Sequence, residues 1–104
     1  MAFEAMFQPI QIGKLTIRNR VLSTAHAEVY ATDGGMTTDR YVKYYEEKAK
    51  GGIGLAICGG SSSVAIDSPQ GWWKSVNLAT DKIIPHFQNL ADAMHKHGAK
   101  IMIQ

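Results

Sequence analysis

Four histidines and one cysteine, Cys58, are the side chains of this sequence best suited to acid–base, nucleophilic or metal chemistry. Three of the histidines, His86, His95 and His97, fall in one helical stretch, where packing or helix-end capping is the expected role. A single cysteine cannot close an internal disulfide or supply a cysteine-rich metal site, so no metal is expected and a reducing compartment is. Gly51, Gly52 and Gly54 would cradle a phosphate if they followed a strand and opened a helix. They do the reverse, ending a helix and preceding a strand, and are read as a helix stop. Gln104, alone at the chain end, reads as a solvated amide by its type and place. The stretch "SSSVAIDSPQGWWKSVNLATD" is too polar and too broken for regular structure, and long loops of this kind are commonly functional.

The elements that must position these residues follow from periodicity. Ile10, Ile12, Leu15 and Ile17 flank Gly13 and Lys14, the pattern of a short hairpin with glycine at its turn. A second extended run over residues 20–25 passes into "HAEVYATDGG", where Asp33, Gly34 and Gly35 are loop residues. Thr37, Thr38 or Asp39 can cap a helix over 38–50 that buries Tyr41, Val42, Tyr45 and Ala49. "IGLAICGG" is a covered strand over 54–59. A second helix over 84–97 starts at Ile84 or Pro85, buries Phe87, Leu90, Ala91 and Met94, and stops at Gly98. "KIMIQ" is a third strand over 100–104, whose edge requires a neighbour. Strand, helix, strand, helix, strand with right-handed crossovers predicts an α/β fold with parallel strands.

Composition narrows the function. The 104 residues are 45% hydrophobic, enough to bury a core, and the net charge is only +2. With cations scattered among acids there is no basic stripe for a phosphate backbone, and nucleic acid is not an expected partner. No apolar run approaches the roughly 18 residues of a membrane helix. A cytoplasmic protein acting on a small molecule is the expectation.

Two architectures share this element order, an open doubly wound sheet and a closed barrel. "LTIRNRVLSTAHAEVYATDGGMTTDRYVKYYEEKAKGGIGLAICGG" and "IIPHFQNLADAMHKHGAKIMIQ" together resemble the amino-terminal part of the old yellow enzyme family of flavin mononucleotide oxidoreductases. The similarity runs from about Phe7 to Gln104 and rests on the Asn19-Arg20 pair, the Tyr44-Tyr45 pair before a double glycine, and the approach to Gln104. It implies the amino-terminal portion of an eight-stranded (β/α) TIM barrel, with outer helices and an N-terminal hairpin. Such a barrel needs about 250 residues, so residues 1–104 would supply about three of eight strands of one flavin-binding domain. By themselves they would be inactive.

The resemblance also implies a flavin site at the carboxyl ends of the strands. Thr24, Ala25, His26 and Ala27 resemble the first-strand segment lying against the isoalloxazine, Gly60 the second-strand residue whose backbone approaches the ring, and Gln104 the glutamine that bonds the pyrimidine edge. Most reductases of the family carry proline at the position of Ala25 and often threonine or cysteine at that of Ala27. His26 is closer to the trimethylamine dehydrogenase and dienoyl-CoA reductase branch; the trimethylamine dehydrogenase pattern puts a cysteine at the position of Ala27, where it bonds the flavin covalently, and alanine cannot, so the implied flavin mononucleotide is non-covalent. The branch implies oxidative demethylation of an N-methylated amine. His26 and Tyr30 are candidate catalytic residues, and Trp72 and Trp73, with Tyr30, a candidate aromatic face for a methylammonium. The alternatives are NAD(P)H-dependent reduction of an activated alkene and a non-catalytic half-barrel association module. A homo-oligomer is expected, and an iron–sulfur cluster only in a region beyond Gln104.

Overall fold

A computed structural model of the chain describes residues 2–69 and 73–104. The hairpin forms as its apolar alternation requires: β1 (Ile10–Ile12) pairs antiparallel with β2 (Leu15–Ile17), and Gly13 turns the chain at φ +58. β3 (Leu22–Ser23), β4 (Leu55–Cys58) and β5 (Lys100–Ile103) then make a three-stranded sheet in that order, parallel throughout, with Leu22 beside Leu55 and Ala56 beside Ile101. The first strand is shorter than the expected 20–25. Before it, Asn19 accepts the Val21 amide at 3.1 Å, an Asx turn that holds the chain out of the ladder; after it, the His26 ring meets the Thr24 carbonyl at 3.2 Å.

The crossovers are α1 (Asp39–Lys50) and α2 (Ile84–His95). Thr38 caps α1, its hydroxyl accepting from the Tyr41 amide while donating to the Tyr30 carbonyl. Tyr41, Val42, Tyr45 and Ala49, three and four apart, are all buried. Gly52, one residue beyond the cap, takes the left-handed turn at φ +103. α2 opens with Pro85 in its first turn and buries Leu90 and Met94, leaving Phe87 and Ala91 half-buried. It stops at His95, two residues before the expected end, because Lys96 and His97 enter the turn that Gly98 closes at φ +81.

Ala56, Cys58 and Ile101 face the two helices and pack with Tyr41, Tyr45, Leu90 and Met94. On the opposite sheet face, Leu22 and Met102 are about half exposed, at 49% and 53%. The segment after β4 is less irregular than expected. Ser63 bridges Asn77, Val76 is buried in the core, and a 3-10 turn over Asp81–Ile83 leads into α2. Its apolar residues anchor what polarity alone predicts to be free.

The helix-end side of the sheet is locked by the residues that follow β2. Arg18 donates through Nη2 to the carbonyls of Ala49 (2.8 Å) and Ile53 (2.7 Å), through Nε to Ile53, and through Nη1 to His97. Those carbonyls lie at the carboxyl ends of both helices, where internal partners run out and the dipole favours a cation. Gly98 makes room for it, since a Cβ there would stand 3.0 Å from Nη1. Asn19 adds a bond to the Gly52 carbonyl at 2.7 Å, and His97 meets Glu46 of α1 at 2.9 Å. In the full-length protein Arg18→Met is expected to lower stability by on the order of 3 kcal/mol, because several part-buried carbonyls lose a charged donor at once. Urea unfolding checks this; a midpoint equal to that of the native protein would remove Arg18 from its role as the clamp.

Candidate functional site

Parallel strands all point their carboxyl ends to one side, so residues 24–27, 59–60 and 104 are neighbours although far apart in the chain. Two glycines draw them together. Gly60, at φ +68, lies against the His26 backbone, where a Cβ would come within 2.9 Å of the His26 carbonyl carbon. Gly59, at φ +102, lies against the Gln104 backbone, where a Cβ would stand 2.4 Å from its carbonyl oxygen. The Gln104 amide donates to the Cys58 carbonyl at 2.8 Å, extending the β4–β5 ladder by one bond. The expected flavin-facing residues Thr24, Ala25, Ala27, Gly60 and Gln104 are thus brought to one end of the sheet.

The donor set there fits a flat heterocycle. Gln104 is exposed and its side-chain amide is free of hydrogen bonds within the described residues, as is the Thr24 hydroxyl. Ala25, Ala27 and Gly60 add no bulk between those groups. His26 is turned away from them: Nε2 meets the Tyr44 hydroxyl of α1 at 2.6 Å and Nδ1 meets the Thr24 carbonyl, so both ring nitrogens are engaged. Tyr44 stacks edge-on with His26 and Tyr30 (centroids 5.7 Å) and with Tyr45 (5.3 Å), tying the loop after β3 to the helix. Trp72 lies outside the described residues. Trp73 is exposed with the Lys74 ammonium 4.5 Å from its ring centroid, and Tyr30 carries the Arg40 guanidinium at 4.3 Å. His86 and His95 lie on α2, and His97 just past its end; the His97–Glu46 pair crosses between the helices, which bears out a packing or capping role there.

Periodicity does not point to Glu28. This residue is 9% exposed, and its Oε1 has no hydrogen-bond partner among the described residues. Burial raises its carboxyl above the ordinary 4.5, although His26 and Lys48 pull the other way. The buried Cys58 thiol is likewise pushed up to about 11 by desolvation, which makes it a core side chain and a poor nucleophile. Among the described residues no cluster of His, Cys, Asp or Glu could hold a metal ion, and no helix is long and apolar enough to cross a membrane.

Comparison with known proteins shows the family and the fold. Residues 5–104 match the model of the NADH:flavin oxidoreductase / NADH oxidase family. The chain is 82% identical over all 104 residues to the N,N-dimethylglycine/sarcosine dehydrogenase of Chromohalobacter salexigens, covering 15% of that protein. It is 41% identical over 101 residues, 97% of the chain and 15% of the relative, to the multifunctional alkene reductase/demethylase OYE of Caballeronia cordobensis. The old yellow enzyme from Trypanosoma cruzi superimposes on the whole chain with a TM-score of 0.87 at 28% identity, with 27% of that chain covered. Of the two architectures the element order allows, the barrel is therefore the one present. The chain spans about 15% of the length of the curated relatives named.

Two outcomes test the geometry in the full-length protein. Gly60→Ala is expected to cost more stability than Gly13→Ala, since both glycines have similar positive φ but only Gly60 has backbone within a Cβ's reach. Denaturant midpoints of the two variants compare them directly, and equal losses would mean that the approach of Gly60 to His26 is slack. For Glu28 the sign follows from linkage. A raised folded pKa means the native state holds the proton more tightly than the unfolded chain, so this carboxyl's contribution falls as pH rises past 4.5. Glu28→Gln should therefore gain on the native protein from acid towards neutral pH, a trend that a pH series of unfolding curves would reveal or refute.

Proposed function

The chain belongs to the NADH:flavin oxidoreductase / NADH oxidase family, and from that premise we propose that the full-length protein oxidatively demethylates an N-methylated amino acid. Flavin mononucleotide, held without a covalent link, is the proposed cofactor and would supply the two-electron acceptor for hydride leaving the N-methyl carbon, the resulting iminium being hydrolysed by water to formaldehyde and the demethylated amine. The observation carrying this reading is the identity across the whole chain to a dimethylglycine/sarcosine dehydrogenase.

The residues at the strand ends fit their proposed parts. Gln104 would hold the polar edge of the flavin, its carboxamide offering two donors and an acceptor to a ring edge that needs both. Thr24 would offer a hydroxyl beside it, while Ala25, Ala27 and Gly60 let the ring plane come close to backbone. With alanine at position 27 no side chain there can bond the flavin. His26, already bonded to Tyr44, would fix the loop after β3. A second reading, reduction of an activated alkene at the expense of NAD(P)H, has support from the relative whose name covers both alkene reduction and demethylation.

The test is purification of the full-length protein, followed by anaerobic addition of N,N-dimethylglycine or sarcosine. Bleaching of the flavin band and stoichiometric formaldehyde are expected. No bleaching by either compound, together with rapid NAD(P)H oxidation on adding an activated alkene, would replace the first reading by the second. Gln104→Ala is expected to weaken flavin retention or shift its potential by about 1–3 kcal/mol equivalent, because a buried ring edge loses its partner. Retention and potential both equal to those of the native protein would take Gln104 out of the site.

A further inference from the structure

One cavity of the described residues is lined by cations without counter-charges. It lies between the loop from β3 to α1 and the long segment after β4, has a volume of about 350 Å³, and is walled by Val29, Tyr30, Thr32, Thr38, Arg40 and Lys74. Ala31 completes the lining, and no acidic residue takes part in it. Arg40 and Lys74 form no ion pair, and their side chains make no hydrogen bond, within the described residues. Arg40 is nevertheless placed, stacked on the Tyr30 ring, which orients a guanidinium while leaving its donors free.

Backbone strain converges on the same place. Among the described residues only two non-glycines have positive φ, Val29 and Lys74, both at 55°, and both line this cavity. A β-branched residue in that conformation is an outlier that surrounding structure must enforce. The enforcement is visible: the Ala31 amide donates to the Lys74 carbonyl at 3.2 Å, and the Asn77 amide to the Gly35 carbonyl at 2.9 Å, stitching the two loops together. The cavity belongs to the strand-end side of the sheet, since Tyr30 follows Ala27 by three residues and so lies within about 11 Å of it along the chain.

The charge distribution decides which end of a substrate enters. A methylammonium would meet Tyr30 and Trp73 with an internal cation already on each ring, and two positive charges facing it. An anion meets two unpaired donors instead. We propose that Arg40 and Lys74 bind the carboxylate of the substrate in this cavity, leaving the N-methyl end directed to the strand ends at residues 24–27. The proposal rests on the reading that the substrate is an N-methylated amino acid, and it assigns the specificity for the acid over a simple amine to these two side chains.

The experiment uses the full-length, flavin-loaded protein and its Arg40→Gln, Lys74→Gln and double variants, checked for native flavin absorbance. Calorimetric titration with N,N-dimethylglycine and with N,N-dimethylethylamine, which lacks the carboxylate, gives the affinity ratio. Loss of charged donors is expected to cut the preference for dimethylglycine about tenfold or more in the double variant, with the change appearing in KM more than in kcat and Arg40→Lys restoring part of it. Raised salt should erode the preference in the native protein and hardly at all in the double variant. An unchanged affinity ratio in the double variant overturns the carboxylate site, even if demethylation is observed. Absence of turnover with a preserved, variant-sensitive carboxylate affinity supports the site and counts against the proposed reaction.

Discussion

Arg18 stands where both helices exhaust their own hydrogen bonds. The carbonyls of Ala49, Ile53 and His97 come from two different crossovers, and one planar cation with donors on three nitrogens answers them together. Because the Arg18 donors reach residues 31, 35 and 79 positions away, this contact joins the hairpin to both crossover units at once. The glycine at position 98 and the close packing of Gly54 against Asn19 are consequences of the same demand, since a side chain at either would intrude on the clamp. The register of the parallel strands then follows, because the turns entering β4 and β5 are held by the groups that hold the helix ends.

That arrangement splits the sheet into two ends with opposite character. At the helix-carboxyl end the polar groups of Arg18, Asn19, His97 and Glu46 are all paired. At the strand-carboxyl end, among the described residues, stand a buried carboxyl oxygen without a partner, the Ser62 hydroxyl likewise unpartnered, two non-glycine residues in the left-handed region, and side chains on Thr24, Gln104, Arg40 and Lys74 that make no hydrogen bond. Unsatisfied groups and strain cost stability wherever they occur, and a fold keeps them where something else is gained. In a barrel this division coincides with the end that serves stability and the end that serves ligands.

The elements are legible in the sequence where a local rule is strong. Tyr41, Val42, Tyr45 and Ala49 repeat at helical spacing behind a threonine cap, and "LAIC" and "IMI" are apolar on consecutive positions, so α1, β4 and β5 follow from periodicity and capping alone. Open sheet against barrel does not, because the order of strands and helices is common to both; resemblance, and then superposition, separates them. Arg18 is illegible for a different reason: a cation between a hairpin and a strand looks like solvated surface, and its partners are backbone carbonyls that no side-chain pattern announces. The shortening of β3 is hidden in the same way, in an asparagine that turns its own backbone. At the site, residues 24–27, Gly60 and Gln104 are assigned by resemblance, whereas the orientation of His26 towards Tyr44 depends on a helix residue 18 positions further along.

The aromatic residues illustrate how structure changes the chemistry a composition implies. Tryptophan and tyrosine in strand-end loops, read alone, invite a cationic guest, since any such ring has an electron-rich face. Beside Tyr30 and Trp73 the chain supplies its own guests, Arg40 and Lys74, and so converts two cation-attracting surfaces into two anion-attracting ones. The rings then act as supports that set the position of the charges, and the charged side chains lining the cavity are both cationic. In the proposed reading a zwitterionic N-methylated amino acid would carry one group for each environment: a carboxylate for the cations, and a methylated nitrogen for the strand ends. An uncharged alkene would have no use for the pair, so the proposed carboxylate contact would also weigh between the two proposed reactions.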